Sequence, residues 1–101
     1  MGTTLSTLNT LTRDTSIAVS PTLAMADLGG EAVLLDSSSG TYFGLNEVAA
    51  RIVALASEPI TLDEVIGQLL EEFEVEKGRL ERDVTTFVLQ LAERGLMTLD
   101  P

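Results

Sequence analysis

Side chains able to do covalent chemistry are scarce in this chain of 101 residues. It has no cysteine and no histidine. Thiolate nucleophiles, disulfides and thiolate metal sites are therefore excluded together, and with them goes the commonest general base and metal ligand. What remains is 16 carboxylates, a set of hydroxyls, one tyrosine, and six lysines and arginines. Carboxylates can hold calcium or magnesium, but no Asp-x-Asp-x-Asp-Gly loop is present, and no glycine-rich phosphate loop either. The neighbouring acids Asp63 and Glu64 have a plainer use. Thr61 is placed to cap a helix, and Glu64, three positions on, completes a capping box. The residue types point away from catalysis, with no cofactor and no metal expected, and towards binding.

Charge narrows the partners. The formal net charge is −10, so nucleic acid and anionic lipid repel the chain, and a basic or neutral partner suits it. No apolar run approaches the roughly 20 residues needed to span a membrane, and no basic segment followed by an apolar one opens the chain as a signal peptide does. The expectation is a cytoplasmic protein that engages neither membrane nor nucleic acid. Lys77, Arg79, Arg82 and Arg94 put four of the six basic residues on one helix, which is the pattern of a DNA-recognition helix. Glu76, Glu81, Asp83 and Glu93 interleave with them, however, and such pairs form a solvated, salt-bridged face.

The elements that must position a binding site follow from periodicity. Residues 1–16 are rich in Thr, Ser and Asn and read as a flexible arm; residues 17–101 read as one domain. Pro21 marks an edge or a break, and the first full strand begins near Thr22. Gly29-Gly30 makes a two-residue hairpin turn. Glu31–Asp36 is the second strand, with Ala32 and Leu34 on one face and Val33 and Leu35 on the other. Ser37-Ser38-Ser39-Gly40 is the next turn, and Thr41–Leu45 the third strand. The Asp36-Ser37 pair occurs in acyl carrier proteins at the head of a long helix; here it enters a turn before a strand, and that reading is rejected. Asn46 caps a helix over Glu47–Ala56, Ser57-Glu58-Pro59 stops it, and a second helix follows the Thr61 cap. The third helix runs over Lys77–Arg94 with Leu80, Val84, Phe87 and Leu91 as its core face. Gly95 is the left-handed residue past its end, and Met97-Thr98-Leu99 is a short apolar tail that packs on the domain. The predicted fold class is α+β, winged helix-turn-helix-like: a three-stranded antiparallel sheet followed by three helices. Since consecutive strands are usually neighbours, the third strand is expected at a sheet edge.

Leu34-Leu35-Asp36, followed by Gly40-x-Tyr42-x-x-Leu45-Asn46-x-x-Ala49-x-x-Ile52, resembles the PqqD-like domains. The later run agrees: Thr61-x-x-Glu64-Val65-Ile66, then Asp83-Val84-x-x-Phe87-x-x-x-Leu91-x-x-x-Gly95-Leu96. The match covers roughly residues 17–99. Each piece is mostly core leucine and valine, but their order and spacing together are specific. Two positions depart: many members carry Trp where Val53 stands and an Asp-Gly turn where Ser57-Glu58 stands. The resemblance implies a recognition element for ribosomally made, post-translationally modified peptides. In that case a precursor's leader segment adds as a strand beside Thr41–Leu45, and its side chains enter a groove against the third helix. It also implies a partner maturation enzyme, either the leader peptidase of a lasso-peptide pathway or a radical enzyme.

The expected peptide-binding residues are Thr41, Tyr42, Phe43, Gly44 and Leu45 on the strand and Arg82, Thr85, Thr86 and Leu89 on the third helix. Phe43 and Leu45 are expected to face the core, and Tyr42 and Gly44 the other side. Gly44 reads either as a bulge or as a point of close approach by another backbone. Two other functions compete: a DNA-binding winged helix, and a homodimerisation module that pairs the same open strand edge chain to chain.

Overall fold

The structure, a computed structural model of the chain, describes residues 11–27 and 31–100. In order, the elements are β1 (Ser16–Val19), β2 (Leu23–Asp27), β3 (Ala32–Asp36), β4 (Thr41–Leu45), α1 (Glu47–Leu55), β5 (Ile60–Thr61), α2 (Leu62–Glu72), α3 (Lys77–Glu93) and β6 (Met97–Asp100). The predicted meander is present as β2-β3-β4, antiparallel throughout, and the three predicted helices follow it. The winged-helix comparison is only a loose one, because a second antiparallel sheet, in the order β5-β1-β6, lies alongside. The tail after Gly95 is one of its strands. Val19 pairs with Met97 and Ile17 with Leu99, while Ile17 also faces Ile60 across the other edge of β1.

Of the arm expected over residues 1–16, residues 1–10 lie outside the described part of the chain, as does the Gly29-Gly30 turn. Residues 12–16 are tied into the fold. The Thr15 carbonyl accepts from Leu62 N at 2.9 Å and the Arg13 carbonyl from Asp63 N at 2.8 Å. The Arg13 guanidinium pairs with Asp63 at 2.5 Å and also with Glu81. Thr15 is buried. This stretch satisfies otherwise orphaned N–H groups at the start of α2, which a hydropathy pattern cannot reveal.

Local chemistry sets the helix ends. Asn46 Oδ1 accepts from Ala49 N at 2.8 Å and starts α1. Thr61 and Glu64 form the predicted capping box around the start of α2. A Thr61→Ala substitution is expected to cost about 1 kcal/mol and lower the melting temperature by about 4–8 °C, measurable by calorimetry. At the end of α3, Gly95 takes a φ of 74°. Its N–H donates to Ala92 O at 3.0 Å, and Leu96 N to Leu91 O at 2.9 Å, a Schellman ending.

One core lies between the sheets and the helices. Leu34 from β3, Ile17 from β1, Ile52 and Val53 from α1, Val65, Ile66 and Leu69 from α2, and Leu80, Val84, Val88 and Leu91 from α3 are all buried. The third helix therefore differs from expectation in one place. Val88 occupies the centre of its core face, and Phe87, one residue earlier, sits half-buried at its margin.

Candidate functional site

Among the described residues strand β4 has one neighbour, β3, so its other side is an open edge. Which of its groups face that edge follows from register. Ser37 N donates to Thr22 O at 3.0 Å, so the odd-numbered residues of β3 bond to β2. In an antiparallel ladder successive residues bond to opposite neighbours, so Leu34 and Asp36 bond to β4, where Phe43 and Thr41 lie opposite. The N–H and C=O groups of Tyr42 and Gly44 are thus left pointing away from β3. Two donors and two acceptors stand in a row along the edge, without a partner among the described residues.

Side chains alternate with them. Phe43 and Leu45 are half-buried and pack against the core, while Tyr42 is 72% exposed on the outer face, opposite Leu35. This is the expected division. The ladder runs in regular register through Gly44, opposite Val33, which removes the bulge reading. A Cβ at Gly44 would meet no atom within 4 Å, so the fold places no demand on its small size.

The turn before β4 is fixed by Asp36. Its carboxylate accepts from Ser38 N at 3.1 Å, Ser38 Oγ at 2.8 Å, Ser39 Oγ at 2.9 Å and Thr22 Oγ1 at 3.4 Å. Chiefly the Ser38 and Ser39 hydroxyls, helped by the Ser38 N–H and Thr22, hold its carboxyl below the usual 3.8, against the opposing effect of burial. A depressed carboxylate contributes stability that is complete above the unfolded value and disappears as pH falls through the folded one. Thermal melts are therefore expected to show a stability loss below pH 3.8 that is smaller in an Asp36→Asn variant, whose turn is already weakened at neutral pH.

Between β4 and α3 lies a cleft of about 590 Å³. Phe43, Gly44 and Leu45 form one wall and Phe87, Gln90, Leu91 and Arg94 the other, with Asn46 and Ala49 at its end. The Arg94 guanidinium stacks over the Phe43 ring, 5.1 Å from its centroid, a favourable cation–π contact. A second cleft of about 560 Å³ shares Asn46, Ala49 and Phe87 with the first. It continues along α3 past Asp83 and Arg79 to the turn between α2 and α3.

The helix residues expected from sequence do not line either cleft. Arg82 and Thr86 are exposed, and Thr85 and Leu89 half-buried, on other sides of α3. At 3.6 residues per turn, Leu89 lies about 200° round the helix from Phe87. The face that meets the clefts instead carries Arg79, Asp83, Phe87, Gln90 and Arg94, at steps of four, four, three and four. An aromatic on an otherwise polar four-step stripe was the available signal. Phe87 serves both the margin of the core and the cleft, so its apolar character alone does not separate the two roles.

An edge strand with free main-chain groups, beside a cleft walled by a helix, is the architecture of a peptide-binding module. The chain belongs to the PqqD family: the model for coenzyme PQQ synthesis protein D matches residues 31–97. Among solved structures, it is similar to TbiB1 in complex with the TbiA(beta) leader peptide, with 34% identity and a TM-score of 0.69, over 79% of this chain and 93% of that one. It is also similar to a lasso peptide synthetase B1 complexed with the leader peptide, with 34% identity and a TM-score of 0.63, over 81% and 96% of the two chains. No curated protein sequence matches it.

Proposed function

We propose that this protein binds the leader segment of a ribosomally made precursor peptide by strand addition to β4. It then presents the peptide, in the cytoplasm where the precursor is made, to a separate maturation enzyme, the leader peptidase of a lasso-peptide pathway. The observation that carries this reading is the open β4 edge beside the α3 cleft, in a chain of the same family and nearly the same extent as two proteins whose structures hold a leader peptide. The role is one of binding and delivery, performed without catalytic groups.

The energetics are adequate. Four main-chain bonds to Tyr42 and Gly44 contribute roughly 0.5–1.5 kcal/mol net each. Two or three leader side chains buried in the cleft add about 1.5–3 kcal/mol each. In the upper half of these ranges, after the cost of ordering a flexible peptide, a net of roughly −8 to −11 kcal/mol remains, or about micromolar to ten-nanomolar affinity. Side chains supply most of that, and the choice of sequence with it. In this proposal residues 41–45 supply the strand contacts. On the helix Phe87, Gln90 and Arg94 take the part that the sequence had given to Arg82, Thr85, Thr86 and Leu89.

The test is a fluorescence-polarisation titration with labelled leader peptides of several pathway classes, the TbiA(beta) leader among them, followed by amide NMR on the tightest. Saturable binding with shifts at Tyr42, Gly44, Phe87 and Gln90 is expected. No binding to any leader, together with dimers in solution, would overturn it and give the β4 edge to a second copy of the chain.

A further inference from the structure

The groove is longer than the strand edge that opens it. From Arg79 to Arg94 the α3 wall rises about 22 Å, whereas β4, five residues long, covers about 14 Å. An extended peptide filling the groove needs about seven residues, so two or three of them lie beyond Leu45, where no strand edge is available to hold them. That far part is the second cleft. Its floor is apolar, made by Val48, Ile52, Leu80 and the ring of Phe87. Val75, in the turn between α2 and α3, opens onto it with 41% of its surface exposed. Its rim is acidic. Glu74, Glu76 and Asp83 line it, against Arg79 alone.

Those carboxylates are only partly engaged. Glu76 accepts from Arg79 N at 2.8 Å as the cap of α3, and Asp83 lies 3.9 Å from the Arg79 guanidinium. Glu74 has no hydrogen-bond or ion-pair partner among the described residues. At the opposite end of the groove, beside β4, Glu93 and Arg94 both line the first cleft, with the Arg94 guanidinium over Phe43. The groove is therefore charge-balanced beside the strand and net negative at the far pocket.

We propose that this far pocket is a second subsite for the same peptide. It takes one apolar side chain on the Val48–Ile52–Phe87 floor, with a lysine or arginine of the peptide next to it against Glu74 and Asp83. The proposal rests on the leader-binding reading and adds to it a sequence rule and a polarity. The peptide's basic end lies past Leu45, towards the turn between α2 and α3. Continuity through Asn46, Ala49 and Phe87 makes the occupant the same peptide rather than a second ligand, and the acidic rim sets its charge.

The test uses a displayed library of random 12-residue peptides selected on the wild-type protein, on Tyr42→Pro and on a Glu74→Lys/Asp83→Lys double variant. Both reversed residues are exposed, so the double variant retains its fold, which circular dichroism checks. Wild-type selectants are expected to carry Lys or Arg at a fixed offset from their apolar positions, and the double variant to select Asp or Glu there. In the tightest wild-type peptide, exchanging that basic residue for Glu is expected to weaken binding about tenfold, and the charge-reversed protein to restore it. Identical selectants from wild type and double variant would overturn the subsite while leaving strand addition standing. Identical selectants from wild type and Tyr42→Pro, or none from wild type, would overturn the leader-binding reading and the subsite with it.

Discussion

Replacing Tyr42 by proline is expected to weaken leader binding between about tenfold and a hundredfold while leaving the domain folded. The asymmetry comes from register. The Tyr42 N–H points to the open edge and serves no partner among the described residues, so its loss costs the free protein little. An added strand loses a hydrogen bond there, and the peptide carbonyl left unpaired against the pyrrolidine ring costs about 1–3 kcal/mol. Two controls fix the interpretation. Tyr42→Ala keeps the N–H and removes only an exposed ring, so its binding is expected to stay within about threefold, as surface substitutions usually cost little. Phe43→Pro removes an N–H that bonds to β3 and is expected to disrupt the sheet. Unchanged affinity in a folded Tyr42→Pro protein would rule out strand addition at that residue.

What could be read from the chain divides along a physical line. Asn46, Thr61 with Glu64, and Gly95 with Leu96 act within one or two helical turns of their own position, and all three ends form as the sequence indicates. The alternation of Tyr42 and Phe43 likewise has a period that one strand carries by itself. The second sheet has no such local signature. β5 is two residues long, and β1 meets β5 and β6 only across separations of some 40 and 80 positions. Residues 12–16 resemble a flexible arm in sequence because their value to the fold lies in carbonyls and one guanidinium, not in hydrophobicity. On α3 the period was visible and the phase was not. Phe87 and Val88 are both apolar, and only the packing of the helix against β6, α2 and α1 decides which one is central to the core and which faces the cleft.

That phase carries the second large expected effect. Phe87 lies where the two clefts meet and contributes to both, so truncating it removes apolar contact from either side of the bound peptide. Burying an aromatic side chain is worth about 1.5–3 kcal/mol. Phe87 is already half-buried in the free domain, so the part realised on binding is about half of this. Phe87→Ala is then expected to weaken leader affinity about three- to twelvefold. It also lowers stability, because the ring packs against the core, so Phe87→Leu is measured beside it to keep the packing while losing the flat face offered to the peptide. Leu89→Ala provides the comparison on the same helix, two residues away and facing neither cleft. Its affinity is expected to remain within about twofold of wild type. The reverse order, with Leu89→Ala crippling binding and Phe87→Ala sparing it in folded proteins, would move the reading face of α3 to the side that carries Arg82 and Thr86. The β4–α3 cleft would then not be the peptide site.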